Sequence, residues 1–290
     1  LIGLLKYLSD HNLIKNEINS YLSGKKAVIC EATHILAFDI LKHFGVVFLN
    51  QKQIKNADLL ILWGGGLRSD LLKKAIEMNK PIIILEDGFI RSLFPYSNGE
   101  LGISFIFDIL GIHFSTFYGK SVITKDLNST QEFSEKDLDF WRAAISEIIK
   151  NQVSKYNFGV NHAHKISVNL KKKVLVLDQA KNDISVVMSN VNPEVFAQML
   201  KDAIEENPSA EIFLKIHPEQ FESARSGYYD KYLLADWMAD NPRLHILSEP
   251  INPISLLTSM DIVYCVSTQM GFEAAMCGKK VVVYGYPFYA

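Results

Sequence analysis

Several signals that would assign the chain to a common class are missing or scarce. The three cysteines, Cys30, Cys265 and Cys277, are far apart and show no metal-ligand spacing, so we expect buried thiols in a reducing compartment. No apolar run approaches the roughly 18 residues that span a bilayer. A net charge of −2 without a basic stripe argues against a nucleic-acid partner. These absences favour a cytoplasmic globular protein.

The two ends of the chain look incomplete. Residues 1–8 are apolar, but they lack the basic region and the cleavage site of a signal peptide. The chain does not begin with Met, and it stops soon after its last strand-like run. We therefore expect truncation at both ends, including the C-terminal end of the second domain.

What the sequence contains is an alternation of strand-like apolar runs and helix-like segments, in two halves. The runs lie at 27–29, 46–49, 59–63, 82–85, 103–107, 174–177, 211–216, 244–247, 261–266 and 280–285. Strands that alternate with helices indicate βα units and parallel sheets. The sequence therefore predicts the α/β class with two Rossmann-like domains, 1–165 and 166–290, joined by a polar linker within about 151–172.

A pair of carboxylates follows one strand of the first half. In open parallel sheets, ligands bind beyond the carboxyl ends of the strands. The run at 82–85 ends in EDGFIRS, in which Glu86 and Asp87 are adjacent and Arg91 is near. This set suits acid–base work on a hydroxyl group. A turn in which Arg91 merely neutralises the acids explains it as well.

Two polar motifs follow strands of the second half. After 174–177 comes a loop with two carboxylates, Asp178 and Asp183, which simple solvation of a loop would also explain. After 211–216 comes His217, followed by a proline that cannot extend the ladder. A lone histidine of this kind is either a ligand contact or a structural residue.

The most informative stretch is STQMGFEA at 267–274, between two buried strand-like runs. Ser267 and Thr268 lie at the N-terminus of a predicted helix, where free N–H groups and the helix dipole suit a phosphate. Simple capping is the alternative. Gln269 and Glu273 are four apart and share a face. Glu273 would either contact a ribose hydroxyl of the ligand or only interact favourably with the helix dipole.

Taken in order, these motifs closely resemble the capsule polysaccharide synthesis family. The series runs from the EDGFIRS motif through the Asp178 loop, KIHP at 215–218 and STQMGFEA to GYPFYA at 285–290, and covers about residues 58–290. Members of that family include bacterial β-Kdo glycosyltransferases that build the Kdo linker of capsules. Two Rossmann-like domains that face a central cleft also match the GT-B architecture of many nucleotide-sugar glycosyltransferases.

The resemblance implies a metal-independent enzyme that transfers Kdo from CMP-Kdo with retention of the β configuration. It implies no separate cofactor, because CMP-Kdo is a substrate. The acceptor would be a lipid-linked or Kdo-terminated glycan. We further expect peripheral association with the inner membrane, a capsule assembly complex as partner, and no nucleic-acid partner.

Roles for individual residues follow from the same resemblance and from their chemistry. Asp183 would be the nucleophile, and Glu86 or Asp87 would deprotonate the acceptor. Arg91 would pair with the carboxylate of Kdo. The remaining substrate contacts would come from Gln179 and Ser185, and the contacts to CMP from Lys215, His217, Pro218, Ser267, Thr268, Gln269 and Glu273.

Two other interpretations stay open. An inverting sialyltransferase-like enzyme would use the same nucleotide and similar motifs, and the stereochemistry of the product separates the two. A non-catalytic glycan- or nucleotide-binding module of a capsule assembly protein would bind without turnover. The presence of Asp183, His217, Glu86 and Asp87 argues against the module.

Overall fold

The structure, a computed structural model, divides into two compact units. It describes residues 21–30, 41–64, 70–94, 99–100, 102–109, 113, 121–129, 132–159, 171–216, 227–229 and 231–290. The first unit draws on Leu1–Arg91, Leu101–Gly111 and Phe133–Ala144, and the second on Ser92–Glu100, Ile112–Glu132 and Ile145–Ala290. The predicted domain boundary at 165/166 lies outside the described residues.

The described helices connect and cover the strands. In chain order they are α1 (Asp70–Glu77), α2 (Val122–Leu127), α3 (Glu135–Lys150), α4 (Ile184–Met188), α5 (Glu194–Glu206), α6 (Lys231–Asp240), α7 (Pro253–Thr258) and α8 (Gln269–Met276), with a 3-10 helix at Gln51–Asn56. No helix in this part of the chain is long and apolar enough to cross a membrane.

The first unit contains a five-stranded sheet in the order β2-β1-β3-β4-β5. Its strands are β1 (Lys26–Cys30), β2 (Val47–Leu49), β3 (Leu59–Trp63), β4 (Ile82–Asp87) and β5 (Phe105–Asp108). The first four pair in parallel, as predicted, but β5 runs antiparallel to β4. The Gly88 amide donates to the Ser104 carbonyl, so the ladder continues directly into the returning strand.

The second unit contains a fully parallel sheet in the order β10-β9-β6-β7-β8. Its strands are β6 (Lys173–Leu177), β7 (Glu211–Lys215), β8 (Leu244–Leu247), β9 (Ile262–Cys265) and β10 (Lys280–Val283). Read from β8, this is the Rossmann order, in which the connections change direction between β6 and β9. All residues of β7 and β9 are buried, as expected for strands covered on both faces.

Helices cover both faces of the second sheet. On one face α5 buries Phe196, Met199 and Leu200 against the strands, and on the other α7 and α8 pack over β6 and β9. Close approach of α8 depends on Gly271, where a Cβ would lie 2.4 Å from Tyr289 Oη and 2.7 Å from Cys265 Sγ. The packing therefore sets the start of α8 at the carboxyl edge of the sheet.

Candidate functional site

A cavity of about 220 Å³ lies at the carboxyl edge of the second sheet. It is lined by residues at the ends of β6 and β7 and at the start of α8, which follows β9. This is the point where the strand order reverses, and ligands of doubly wound sheets bind at such a point. Residues of three predicted motifs, among them Asp183, Lys215 and Thr268, therefore line one cavity.

Gln179 joins the loops that follow β6 and β9. Its Oε1 accepts a hydrogen bond from the Ser267 amide (2.9 Å), and its Nε2 donates to Ser267 Oγ and Ser185 Oγ (3.3 Å each). Gln179 and Ser267 are buried. The side chains of the three residues are thus hydrogen-bonded to one another and hold the two loops together. Their contacts to a ligand stay predictions.

Asp183 lines the cavity and caps a short helix, α4, in what the sequence predicts to be a loop. Its Oδ1 accepts from the Ser185 amide (2.8 Å) and from Ser185 Oγ (2.7 Å), which caps α4. Within the described part of the chain, Oδ2 accepts no hydrogen bond. One oxygen therefore fixes the carboxylate, and the other is available for chemistry.

Lys215 lies at the end of β7 with its side chain buried. Its Nζ donates to the carbonyls of Ile216 (2.9 Å) and Leu247 (3.4 Å). Burial lowers the pKa of Lys215 to about 8, and the nearby Asp178 carboxylate partly opposes that shift. Lys215 is therefore a cation at neutral pH whose hydrogen bonds go to the protein backbone. Its contact to CMP stays a prediction.

The start of α8 is capped as the alternative interpretation predicts. Thr268 Oγ1 accepts from the Met270 amide (3.4 Å), and Gln269 Nε2 donates to Glu273 Oε1 (3.0 Å). Capping satisfies one amide of the first turn and leaves the dipole in place. The N-terminus of α8 still lines the cavity through Thr268, Gln269 and Met270.

Glu273 is a buried carboxyl group, 2% exposed, at the wall of the cavity. Its Oε1 accepts from Ser154 Oγ (2.8 Å), Gln269 Nε2 (3.0 Å) and the Lys155 amide (3.3 Å). Among the described residues its Oε2 has no hydrogen-bond partner. Burial raises the pKa of Glu273 to about 7, against the effect of these hydrogen bonds.

This raised pKa predicts a pH-dependent stability. The folded chain holds the Glu273 proton more tightly than the unfolded chain, so the contribution is fully present below about pH 4.5 and is lost as pH rises through about 7. Relative to Glu273→Gln, the wild-type free energy of unfolding should fall by on the order of 2 to 3 kcal/mol between pH 5 and pH 8. Urea unfolding of both proteins measures it, and a difference that stays constant with pH would contradict the assignment.

In the first unit, Glu86 and Asp87 end β4. A Cβ on Gly64, just after β3, would lie 1.9 Å from Glu86 Oε2, so the glycine leaves the space that this carboxylate occupies. Glu86 Oε1 accepts from the Asp87 amide (3.0 Å). The two carboxylates therefore lie at the carboxyl edge of their sheet, as the sequence predicts.

Arg91 is fully buried, and its Nε lies 2.8 Å from Asp87 Oδ1. The contact is an ion pair rather than an aligned hydrogen bond. This is the neutralising arrangement that the sequence analysis left open. A contact of Arg91 with the carboxylate of a sugar stays a prediction.

Two predicted contacts cannot be placed, and one wall of the cavity was missed. His217 and Pro218 lie outside the described residues. Residues 160–170 of the predicted linker also lie outside the described residues. Residues 152–159, in contrast, pack within the second unit and supply Ser154 and Lys155 to the cavity. Nothing local in that polar stretch signals this role, because its bond to Glu273 spans 119 positions.

The second unit has the Rossmann strand order and a cavity at its switch point. The model of the family described as "Capsule polysaccharide biosynthesis protein" matches residues 128–290, more than half of the chain. The chain belongs to this family. The family and the α/β fold class that the sequence predicts are thus confirmed.

The chain is similar to a longer protein of capsule synthesis. It is 34% identical over 245 residues to the capsule polysaccharide modification protein LipA of Neisseria meningitidis serogroup A, covering 82% of this chain and 34% of LipA. The chain therefore spans about a third of the length of this relative.

Two solved structures share its fold. The β-Kdo 2,4 transferase of Thermosulfurimonas dismutans KpsC superposes with a TM-score of 0.80 at 29% identity, over 92% of this chain and 81% of that chain. The β-Kdo 2,7 transferase of the same protein gives a TM-score of 0.63 at 24% identity, over 92% and 80%. The second likeness shows the fold alone.

Proposed function

We propose that the chain is the catalytic part of a capsule glycosyltransferase that moves Kdo from CMP-Kdo to a glycan and retains the β configuration. The observation that carries the proposal is the placement of Asp183 in the cavity at the switch point of the second sheet. Membership of the capsule family and the likeness to a β-Kdo 2,4 transferase support it.

The donor would lie at the carboxyl edge of the second sheet. CMP carries one phosphate, which needs a few cationic or N–H donors rather than a divalent cation clamp. The start of α8 and Lys215 line the cavity, and His217 is the third donor that the sequence predicts. Binding should therefore persist in EDTA.

Two displacements would give retention. The Asp183 carboxylate attacks the anomeric carbon of Kdo, the bond to the phosphate oxygen breaks, and CMP leaves with the electron pair. A hydroxyl of the acceptor then attacks the same carbon, loses its proton to a carboxylate, and releases Asp183. Because Asp87 pairs with Arg91, we assign the base to Glu86.

Partners and location follow from the same proposal. The acceptor is a lipid-linked or Kdo-terminated glycan, and the protein works in the cytoplasm at the inner membrane with other capsule assembly proteins. These assignments extend the family membership, and binding to lipid vesicles would test the peripheral association.

Turnover tests the proposal. In EDTA, CMP-Kdo with a β-Kdo-terminated oligosaccharide should give acceptor-dependent release of CMP and a product one Kdo longer by mass spectrometry. UDP-sugars should give neither. Binding of CMP without turnover of CMP-Kdo, with lipid-linked and free acceptors alike, would favour the binding module. A requirement for a divalent cation would contradict the metal-independent mechanism.

A further inference from the structure

One wall of the cavity comes from outside the sheet. Residues 152–159, here called the 152–159 segment, follow α3 and contribute Ser154, Lys155, Tyr156 and Phe158 to the lining. The reaction proposed above gives these side chains no role. The segment is nevertheless built into the site, as its hydrogen bonds show.

The middle of the 152–159 segment is held by the amide side chain of Asn157. Its Oδ1 accepts from the Ser154 amide (2.9 Å), and its Nδ2 donates to the carbonyls of Ser154 (2.9 Å) and Ser92 (3.0 Å). The Ser92 amide donates to the Lys155 carbonyl (3.2 Å). The backbone on either side of Lys155 is therefore fixed.

The two ends of the segment are held by the loop before α7. Asn252 Nδ2 donates to the Gln152 carbonyl (2.9 Å). Gly159 has a φ of +109° and packs against this loop, where a Cβ would lie 3.1 Å from the Asn252 amide nitrogen. A wall held in this way is preorganised, which reduces the entropy lost when a ligand binds.

Glu273 joins the segment to α8. Its Oε1 accepts from Ser154 Oγ (2.8 Å) and from the Lys155 amide (3.3 Å). Both donors come from the 152–159 segment, so this single carboxyl oxygen sets the position of the Lys155 backbone against the start of α8. Loss of the Ser154 hydroxyl would weaken that connection.

The lining of the cavity combines carboxyl groups with two lysines. Three carboxyl groups line it, those of Asp178, Asp183 and Glu273, and an anionic ligand needs opposing positive charge. The cations among the described lining residues are Lys155 and Lys215. The charge of Lys155 also lowers the pKa of the Glu273 carboxyl group and of His113. The Lys155 ammonium lies 5.7 Å from the centre of the Tyr156 ring, which orients the cation.

We infer that Lys155 binds an anionic group of the donor, and that Ser154 positions Lys155 by holding the 152–159 segment on Glu273. The identity of the donor rests on the function proposed above. A CMP-sugar acid carries two groups of this chemistry, the phosphate and the sugar carboxylate, and both suit a lysine ammonium. The experiment below separates them.

Calorimetric titration of wild type and Lys155→Ala with CMP and with cytidine, together with KM for CMP-Kdo, tests the inference. If Lys155 binds the phosphate, the variant binds CMP about 10- to 100-fold more weakly and cytidine equally well. If it binds the sugar carboxylate, CMP binding is unchanged and KM for CMP-Kdo rises by about the same factor. Lys155→Arg should retain most of the affinity.

A matched control and a double variant complete the test. Lys150→Ala removes an exposed lysine at the end of α3 and should change neither constant. Ser154→Ala should weaken the same ligand as Lys155→Ala, and the double variant should be no weaker than Lys155→Ala alone. Fully additive losses would mean that Ser154 does not act through Lys155.

The other outcomes distinguish the inference about Lys155 from the proposed function. Wild-type affinity for CMP together with a wild-type KM in Lys155→Ala would overturn the inference and leave the proposed function intact. Binding of UMP but not CMP, weakened in Lys155→Ala, would support Lys155 and overturn the proposed donor. Failure of wild type to bind CMP, UMP or GMP would overturn both.

Discussion

Asp183→Asn is expected to lower Kdo transfer by at least ~10³-fold while CMP binding stays near the wild-type level. The amide cannot form the glycosyl ester, because it lacks the nucleophilic oxygen of a carboxylate. Its remaining oxygen can still accept from the Ser185 amide and hydroxyl, as Asp183 Oδ1 does at 2.8 and 2.7 Å. Initial rates of CMP release and calorimetric titration with CMP measure the two properties.

The choice of Asn separates chemistry from folding. Asp and Asn are comparable N-caps, so the free energy of unfolding should stay within about 0.5 kcal/mol of wild type. Asp183→Ala removes the cap as well and should cost about 1 kcal/mol more. Transfer by Asp183→Asn at a wild-type rate would contradict the assignment of the nucleophile.

Arg91→Met is expected to lower the free energy of unfolding by about 3 to 5 kcal/mol. The Arg91 side chain is fully buried and lies 2.8 Å from Asp87 Oδ1, and the Asp87 side chain is 14% exposed. Removal of the guanidinium takes away the opposing charge of the Asp87 carboxylate, which is largely shielded from water. This is the main source of the lost stability. Urea unfolding measures the loss.

Two further variants isolate the ion pair. Asp87→Asn combined with Arg91→Met should recover part of the loss, since the double variant leaves no unpaired charge. Arg142→Met removes an exposed arginine that pairs with Asp139 and should cost less than about 1 kcal/mol. A loss in Arg91→Met as small as that in Arg142→Met would show that Arg91 is not a structural cation.

Much of the second unit could be predicted from the sequence because its central strands are buried on both faces. Continuous apolar runs predicted 174–177 and 211–216, and the structure has Lys173–Leu177 and Glu211–Lys215. Since parallel strands bring their carboxyl ends to one edge, the polar motifs after them were expected to meet. Asp183 and Lys215 both line the cavity, and their roles stay predictions.

Features that depend on long-range contacts could not be predicted. The direction of β5 depends on pairing with β4, and its apolar run is the same for either direction. The short helix α4 depends on the cap by Asp183, and its five residues are too few to show a helical periodicity. The 152–159 segment has the composition of a linker, and only its contacts with Glu273 and Asn252 make it a wall.

Stereochemistry of the product tests the central claim most directly. The transferred residue can be examined by NMR after wild type converts CMP-Kdo, with a Kdo-terminated acceptor, in EDTA. A β-linked Kdo is the predicted result, because two displacements at the anomeric carbon restore the configuration of the donor. An α-linked product would contradict the account and would favour an inverting, sialyltransferase-like mechanism.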